Sequence, residues 1–138
     1  MNNITFAIIK PDAVKNNYVG KIYDQILKEG FNILAAKLII LSKKDAENFY
    51  LIHKDQPFYE ELTTFMSSGK CMVLVLEKED AVNNWRETIG STNPNEAKDG
   101  TIRKLYAKSL GENAVHGSDS DENAKKEISF FFSEMEIL

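Results

Sequence analysis

The sequence predicts an α+β fold: a four-stranded antiparallel sheet with helices packed on it. Three observations point there. Short apolar, β-rich runs lie at residues 4–9, 33–41 and 71–76. Apolar residues at helical spacing fill the intervals between them. A length of 138 residues suits one core and is too short for two, so residues 1–138 are read as a single domain.

Ile4-Thr5-Phe6-Ala7-Ile8-Ile9 is apolar almost throughout and reads as a central strand. Lys10-Pro11-Asp12 ends it, because proline lacks the N–H a ladder needs. Val19, Ile22, Tyr23, Ile26 and Leu27 recur as one helical face, and Gly30 suits the stop. After the strand at 33–41, Ser42 suits an N-cap for a helix with Ala46, Phe49, Tyr50 and His53 on one side. Asp55-Gln56-Pro57 breaks that helix, and Phe58, Leu62, Phe65 and Met66 repeat at helical spacing as far as Gly69. Beyond the third strand, Asp80 is the expected cap of a helix carrying Ala81, Trp85 and Ile89. Residues 90–100 form a loop rich in Asn, Gly, Ser and Thr, of a length that is often functional. A short helix around 102–106 follows.

The C-terminal part admits two readings. Ser120 or Asp119 can cap a helix over 124–127, and Ile128-Ser129-Phe130-Phe131-Phe132 can extend it, since 124, 128, 131 and 132 share a helical face. The high β-propensity of that short run favours a fourth strand instead. With it the elements run βαββαβ, the ferredoxin-like pattern, which by itself fixes no activity.

Seventeen basic and 21 acidic residues leave a net charge of −4, which argues against general affinity for nucleic acid backbones. The apolar runs fall far short of the roughly 20 residues a membrane span needs. Met1-Asn2-Asn3 shows no basic leader region, so no membrane association is expected and a cytoplasmic location is. Cys71, the one cysteine, lies in an apolar run and reads as a buried small hydrophobe.

The chemistry concentrates in Asn113-Ala114-Val115-His116-Gly117-Ser118-Asp119-Ser120, read as a polar turn before a helix. Imidazole is a competent nucleophile near neutral pH. Gly117 lets backbone approach a ligand closely, and Ser118 and Glu127 are placed to orient the ring. Lys10 ends a strand, and Arg86 and Arg103 flank the long loop that contains Thr92. Such cations and a hydroxyl suit phosphate, because phosphoryl transfer is catalysed mainly by positioning and charge stabilisation. No Gly-x-x-x-x-Gly-Lys-[Ser/Thr] loop occurs, which excludes a P-loop kinase. A nucleotide- or nucleic-acid-binding regulator of the same fold is the rival from another class. The acidic balance and the lack of a basic aromatic stripe count against it.

Residues 5–12, 53–58, Trp85-Arg86, Gly90-Ser91-Thr92-Asn93-Pro94 and 113–120 together resemble the nucleoside diphosphate kinase family, in its order and spacing, from residue 4 to about 132. The resemblance implies transfer of the γ-phosphoryl group from a nucleoside triphosphate, usually ATP, to a nucleoside diphosphate. His116 matches the phosphorylated histidine, and Mg²⁺ is expected to bridge the nucleotide phosphates without assigned protein ligands. Lys10 and Asn113 match residues that hold the sugar hydroxyls, Lys10 also lying close to the reacting phosphate. Arg86, Thr92 and Arg103 match the phosphate clamp. Tyr50 matches a tyrosine beside the histidine, and Glu127 the carboxylate that orients it. Phe58 matches the aromatic on which the base stacks, with Leu62 and Leu110 flanking; valine is common at the last position. Gln56 replaces a frequent basic residue and receives no role. His53 is expected either at the phosphates or in a structural hydrogen bond. The resemblance further implies broad base and sugar specificity and a homo-oligomer, with a hexamer favoured over a tetramer.

Overall fold

Strand β1 (Ile4–Ile9) is apolar on both faces because both faces of the sheet are covered. The computed structural model describes residues 3–138, so the leader reading at Met1 and Asn2 lies outside the described residues. After β1 come helices α1 (Pro11–Lys15) and α2 (Val19–Lys28), strand β2 (Asn32–Ile40), α3 (Lys43–Phe49), a 3₁₀ turn (Leu51–His53) and α4 (Tyr59–Met66). Strand β3 (Lys70–Glu77), α5 (Ala81–Ile89), α6 (Ile102–Tyr106), β4 (Val115–Gly117), α7 (Asp121–Phe131) and a last 3₁₀ turn (Glu134–Glu136) complete the chain. The strands are antiparallel in the order β2-β3-β1-β4.

Phe6 and Ile8 point into one core with Ala46 and Tyr50, Met66, Val73, Ile128 and Phe132. Ala7 and Ile9 point into the other with Ile22, Ile26, Phe31, Trp85, Ile89 and Ile102. Each such side chain, fully buried, contributes about 1.5–3 kcal/mol relative to exposure. Cys71 is buried and free, and burial pushes its thiol up to about 11. No helix among the described residues is long and apolar enough to cross a membrane.

The α+β sandwich is as expected, but its fourth strand is not at residues 128–132. It is the three-residue β4, where Ile9 faces Val115, Ile8 faces His116 and Ala7 faces Gly117. Residues 128–131 instead continue α7. Ser120 Oγ accepts the Asn123 N–H at 3.1 Å, Asp121 and Glu122 favour the positive helix end, and Ala124 and Ile128 are buried on one side. That amphipathic face, docked on β1, overrides the β-propensity of the phenylalanines. Lys37 of β2 closes the helix, donating from Nζ to the Phe131 carbonyl at 2.8 Å and pairing with Glu136 at 2.8 Å. Asp80 departs from expectation in a smaller way. It occupies the N-cap of α5 with a left-handed backbone (φ 50°), and its carboxylate takes the Asn83 side chain rather than a backbone N–H.

Candidate active site

Pro11 begins α1 at its first position, where its missing N–H costs nothing, so the chain turns directly after Lys10. This brings Lys10 under the segment that leads into β4. Its Nζ donates to Asn113 Oδ1 at 2.8 Å, and its backbone N–H donates to the Ala114 carbonyl at 2.8 Å. Burial first, and then the Arg103 charge, lower the Lys10 pKa from 10.5 to about 8 against the opposing effect of Asp12. Ala114 has φ 70°, and its N–H donates to Asp12 Oδ2 at 3.0 Å.

His116 projects from β4 onto the face that holds Phe6, Phe49 and Tyr50, with ring centroids 6.0, 5.7 and 6.4 Å from its own. Its Nε2 lies 2.7 Å from Glu127 Oε1 on α7, and Ser118 Oγ donates to the same oxygen at 2.7 Å. An ionised carboxylate only accepts, so Nε2 carries the proton, and in the neutral ring Nδ1 carries the lone pair. The pair is only partly buried, with side-chain exposures of 17% and 21%. Trp85 Nε1 donates to the His116 carbonyl at 3.2 Å, fixing the strand from the opposite face. The buried Tyr50 hydroxyl has no partner among the described residues, and burial holds its pKa well above the ordinary range.

Arg103 is buried, and its guanidinium braces three backbone carbonyls. Nη2 donates to Val115 at 2.9 Å, Nη1 to Gly90 at 3.0 Å and Nε to Asn113 at 3.4 Å. Burial and the neighbouring Arg86 charge lower its pKa to about 10. Three of its five N–H groups are thus committed and two remain. Arg86 is exposed on α5.

A cavity of about 1110 Å³ brings together Lys10, Phe58, Leu62, Thr92, Leu110 and Asn113. Phe58 and Leu110 expose apolar surface into it, at 47% and 61%. His116, Arg86, Arg103, Tyr50 and Glu127 do not line it, and connect to it through Lys10 and the segment from Asn113 to His116. His53 packs against Phe58, ring centroids 5.6 Å apart.

The structure changes three readings in detail. His116 stands on a strand rather than in a turn. A Cβ at Gly117 would lie 2.8 Å from Trp85 Cδ1, so the packing of Trp85 by itself requires glycine there. His53 lies outside α3, because the helix ends at Phe49. Sequence reasoning gave no site role to Asp12 or to Trp85. Pro11 followed by an acid in a first helical turn was the one available signal for Asp12.

The family model described as nucleoside diphosphate kinase matches residues 3–137. A nucleoside diphosphate kinase of Geobacter sulfurreducens is 54% identical over 134 residues, spanning 97% of this chain and 98% of that protein. One from Phenylobacterium zucineum is 55% identical over 138 residues, spanning 100% and 99%. The Aquifex aeolicus nucleoside diphosphate kinase structure superposes with a TM-score of 0.97 at 43% identity, covering 99% of each chain. The Halobacterium salinarum nucleoside diphosphate kinase, solved in complex with CDP, gives 0.94 at 32% identity over 100% of this chain and 92% of that one. Similarity of this extent, along the whole chain and through the fold that carries the histidine, shows that the protein belongs to the nucleoside diphosphate kinase family of enzymes.

Proposed function

We propose that this chain exchanges the terminal phosphoryl group between a nucleoside triphosphate, usually ATP, and a nucleoside diphosphate through a phosphohistidine at His116. The 2.7 Å contact between His116 Nε2 and Glu127 carries the reading, because it leaves the Nδ1 lone pair for attack. Nδ1 bonds to the γ-phosphorus as the bond to the β,γ-bridging oxygen breaks, and the diphosphate leaves with that electron pair. A second diphosphate then attacks with a terminal oxygen, the P–N bond breaks, and Nδ1 regains its lone pair. Both half-reactions use one site.

Lys10 and Asn113 hold the sugar hydroxyls, and Lys10 also neutralises the reacting phosphate. Arg86, Thr92 and Arg103 clamp the phosphates; the two uncommitted N–H groups of Arg103 serve this. Phe58 stacks on the base between Leu62 and Leu110, while Tyr50 and Glu127 fix the imidazole. The cavity wall carries amide, hydroxyl and ammonium groups near Lys10 and the carboxylates of Glu60, Glu61 and Glu112, and no cluster of three His, Cys, Asp or Glu forms a metal cage among the described residues. That set fits Mg²⁺ arriving on its nucleotide through phosphate oxygens and water. When bound, the ion neutralises phosphate charge.

A pH dependence follows from Lys10. It is protonated, and able to attract phosphate, below its folded pKa of about 8, and neutral above it. The kcat/KM profile is therefore expected to fall on the alkaline side with a midpoint near that value, and Lys10→Arg should remove this limb. A wild-type profile that stays flat to about pH 9.5 contradicts the assignment.

A coupled assay with ATP and several diphosphates tests function and breadth together. Stacking on Phe58 tolerates every base, so ADP, GDP, CDP and UDP, and their deoxy forms, should differ by less than about tenfold. Release of free phosphate without transfer would contradict the exchange. A preference of about a hundredfold would mean that a polar wall residue, Glu61 or Glu112, reads a base edge.

The protein is proposed to be one cytoplasmic domain assembled as a homo-oligomer, a hexamer ahead of a tetramer. Edge strand β2 supports assembly, with Leu38 and Ile40 exposed on it. Light scattering tests this; a mass near the 15.7 kDa subunit in fully active protein contradicts it.

A further inference from the structure

We infer that Asp12 is a positioning residue of the transfer reaction: its carboxylate holds the strained turn at Ala114 that sets Asn113 and His116 relative to Lys10. The inference rests on the proposed exchange at His116.

Ala114 is fully buried and adopts φ 70°, a conformation that residues with a Cβ avoid. The Val115 N–H donates to the Asn113 carbonyl at 2.8 Å, closing a three-residue turn of the rare, strained hand. Such a turn persists only when its surroundings over-determine it. Here both amide groups of Ala114 are held by the segment at residues 10–12. Its carbonyl accepts from the Lys10 N–H at 2.8 Å, and its N–H donates to Asp12 Oδ2 at 3.0 Å. Without Asp12 that buried N–H has no partner, and the turn relaxes toward ordinary backbone.

What flanks the turn gives the clamp its consequence. On one side Asn113 holds Lys10 Nζ and lines the cavity; on the other, one residue separates Ala114 from His116. A shift of the turn moves the nucleotide-holding pair relative to the nucleophile, and displacements of that kind cost rate without removing any catalytic group. Asp12 is itself buried, in the first turn of α1, and its Oδ1 has no partner among the described residues.

The test compares Asp12→Ala, Asp12→Asn and the double variant Asp12→Ala with Ala114→Gly in the full chain. His116→Asn serves as control, and kcat, KM and thermal stability are read for each. In folded Asp12→Ala, kcat is expected to fall at least about tenfold, with a smaller change in KM. Asp12→Asn keeps an acceptor for the Ala114 N–H and should stay within about threefold of wild type. Glycine adopts φ > 0 without strain, so Ala114→Gly should restore at least about threefold of the kcat lost in Asp12→Ala. Should Asp12→Ala not fold, Asp12→Ser, too short to reach Ala114, takes its place with the same expectations. A folded Asp12→Ala with wild-type kcat, an Asp12→Asn as impaired as Asp12→Ala, or no rescue by glycine overturns the inference, provided His116→Asn is inactive. An active His116→Asn overturns the exchange reading itself.

Discussion

His116→Asn is expected to lose transfer activity by at least about a thousandfold, the largest effect of any single substitution in this chain. Asparagine offers no lone pair comparable to that of imidazole Nδ1, and the Ser118 hydroxyl beside Glu127 is not free to replace it. Ser118 is already committed, donating to Glu127 Oε1 at 2.7 Å. The fold should survive. The strand pairing of β4 with β1 is backbone, and the Trp85 bond is to the His116 carbonyl rather than its ring. Lost packing against Phe6 and Phe49 costs about 1 kcal/mol. The coupled assay beside a circular dichroism melt checks both halves: a folded, active variant contradicts the assignment of the nucleophile. Glu127→Gln should be milder, because it keeps an acceptor for Nε2 and loses only charge.

Arg103→Ala is expected to damage stability and turnover together. The guanidinium satisfies three carbonyls that belong to the long loop and to the residues on either side of Ala114. Removing it leaves the buried Val115 carbonyl and the part-buried Gly90 carbonyl without this donor, at about 1–3 kcal/mol each, while the Asn113 carbonyl keeps the Val115 N–H. Allowing for the long Nε contact, a loss of about 3 kcal/mol and a melting point lower by about 10 °C are expected. Turnover at saturating nucleotide should fall at least about tenfold, since the variant also lacks a positive charge beside Lys10 and Arg86. Arg103→Lys restores the charge but not the fork, so it should recover little of the stability. A variant with unchanged melting point, or one with normal turnover and only weaker nucleotide binding, contradicts this double role.

Most of this arrangement is readable in the chain, for identifiable reasons. β1 announces itself because both its faces are buried, which leaves an unbroken apolar run. Ser42 and Ser120 announce their helices because a cap is a local bond, made at 3.0 and 3.1 Å to the residue three positions on. β4 does not announce itself. It is three residues long, includes histidine and glycine, and exists only because β1 lies beside it. The phenylalanines of α7 mislead for the complementary reason, since their local preference is for a strand and their docking partner is remote in sequence. The same distance hides function. Lys10 and Asn113 are 103 positions apart, and Asp12 and Ala114 are 102 apart, yet each pair is in contact. Arg103 reads as a phosphate ligand from its place after the long loop and from the family resemblance. Its three carbonyl partners are fixed by the tertiary course of the loop, which no spacing encodes.

The central claim, a phosphorylated His116, is tested most directly by incubating the protein with γ-labelled ATP without any acceptor and following the label on the protein. The account predicts one label per active subunit, lost in acid, stable in base as a phosphoramidate is, discharged on adding a nucleoside diphosphate, and absent from His116→Asn. Label that survives acid, or that remains on His116→Asn, would contradict it.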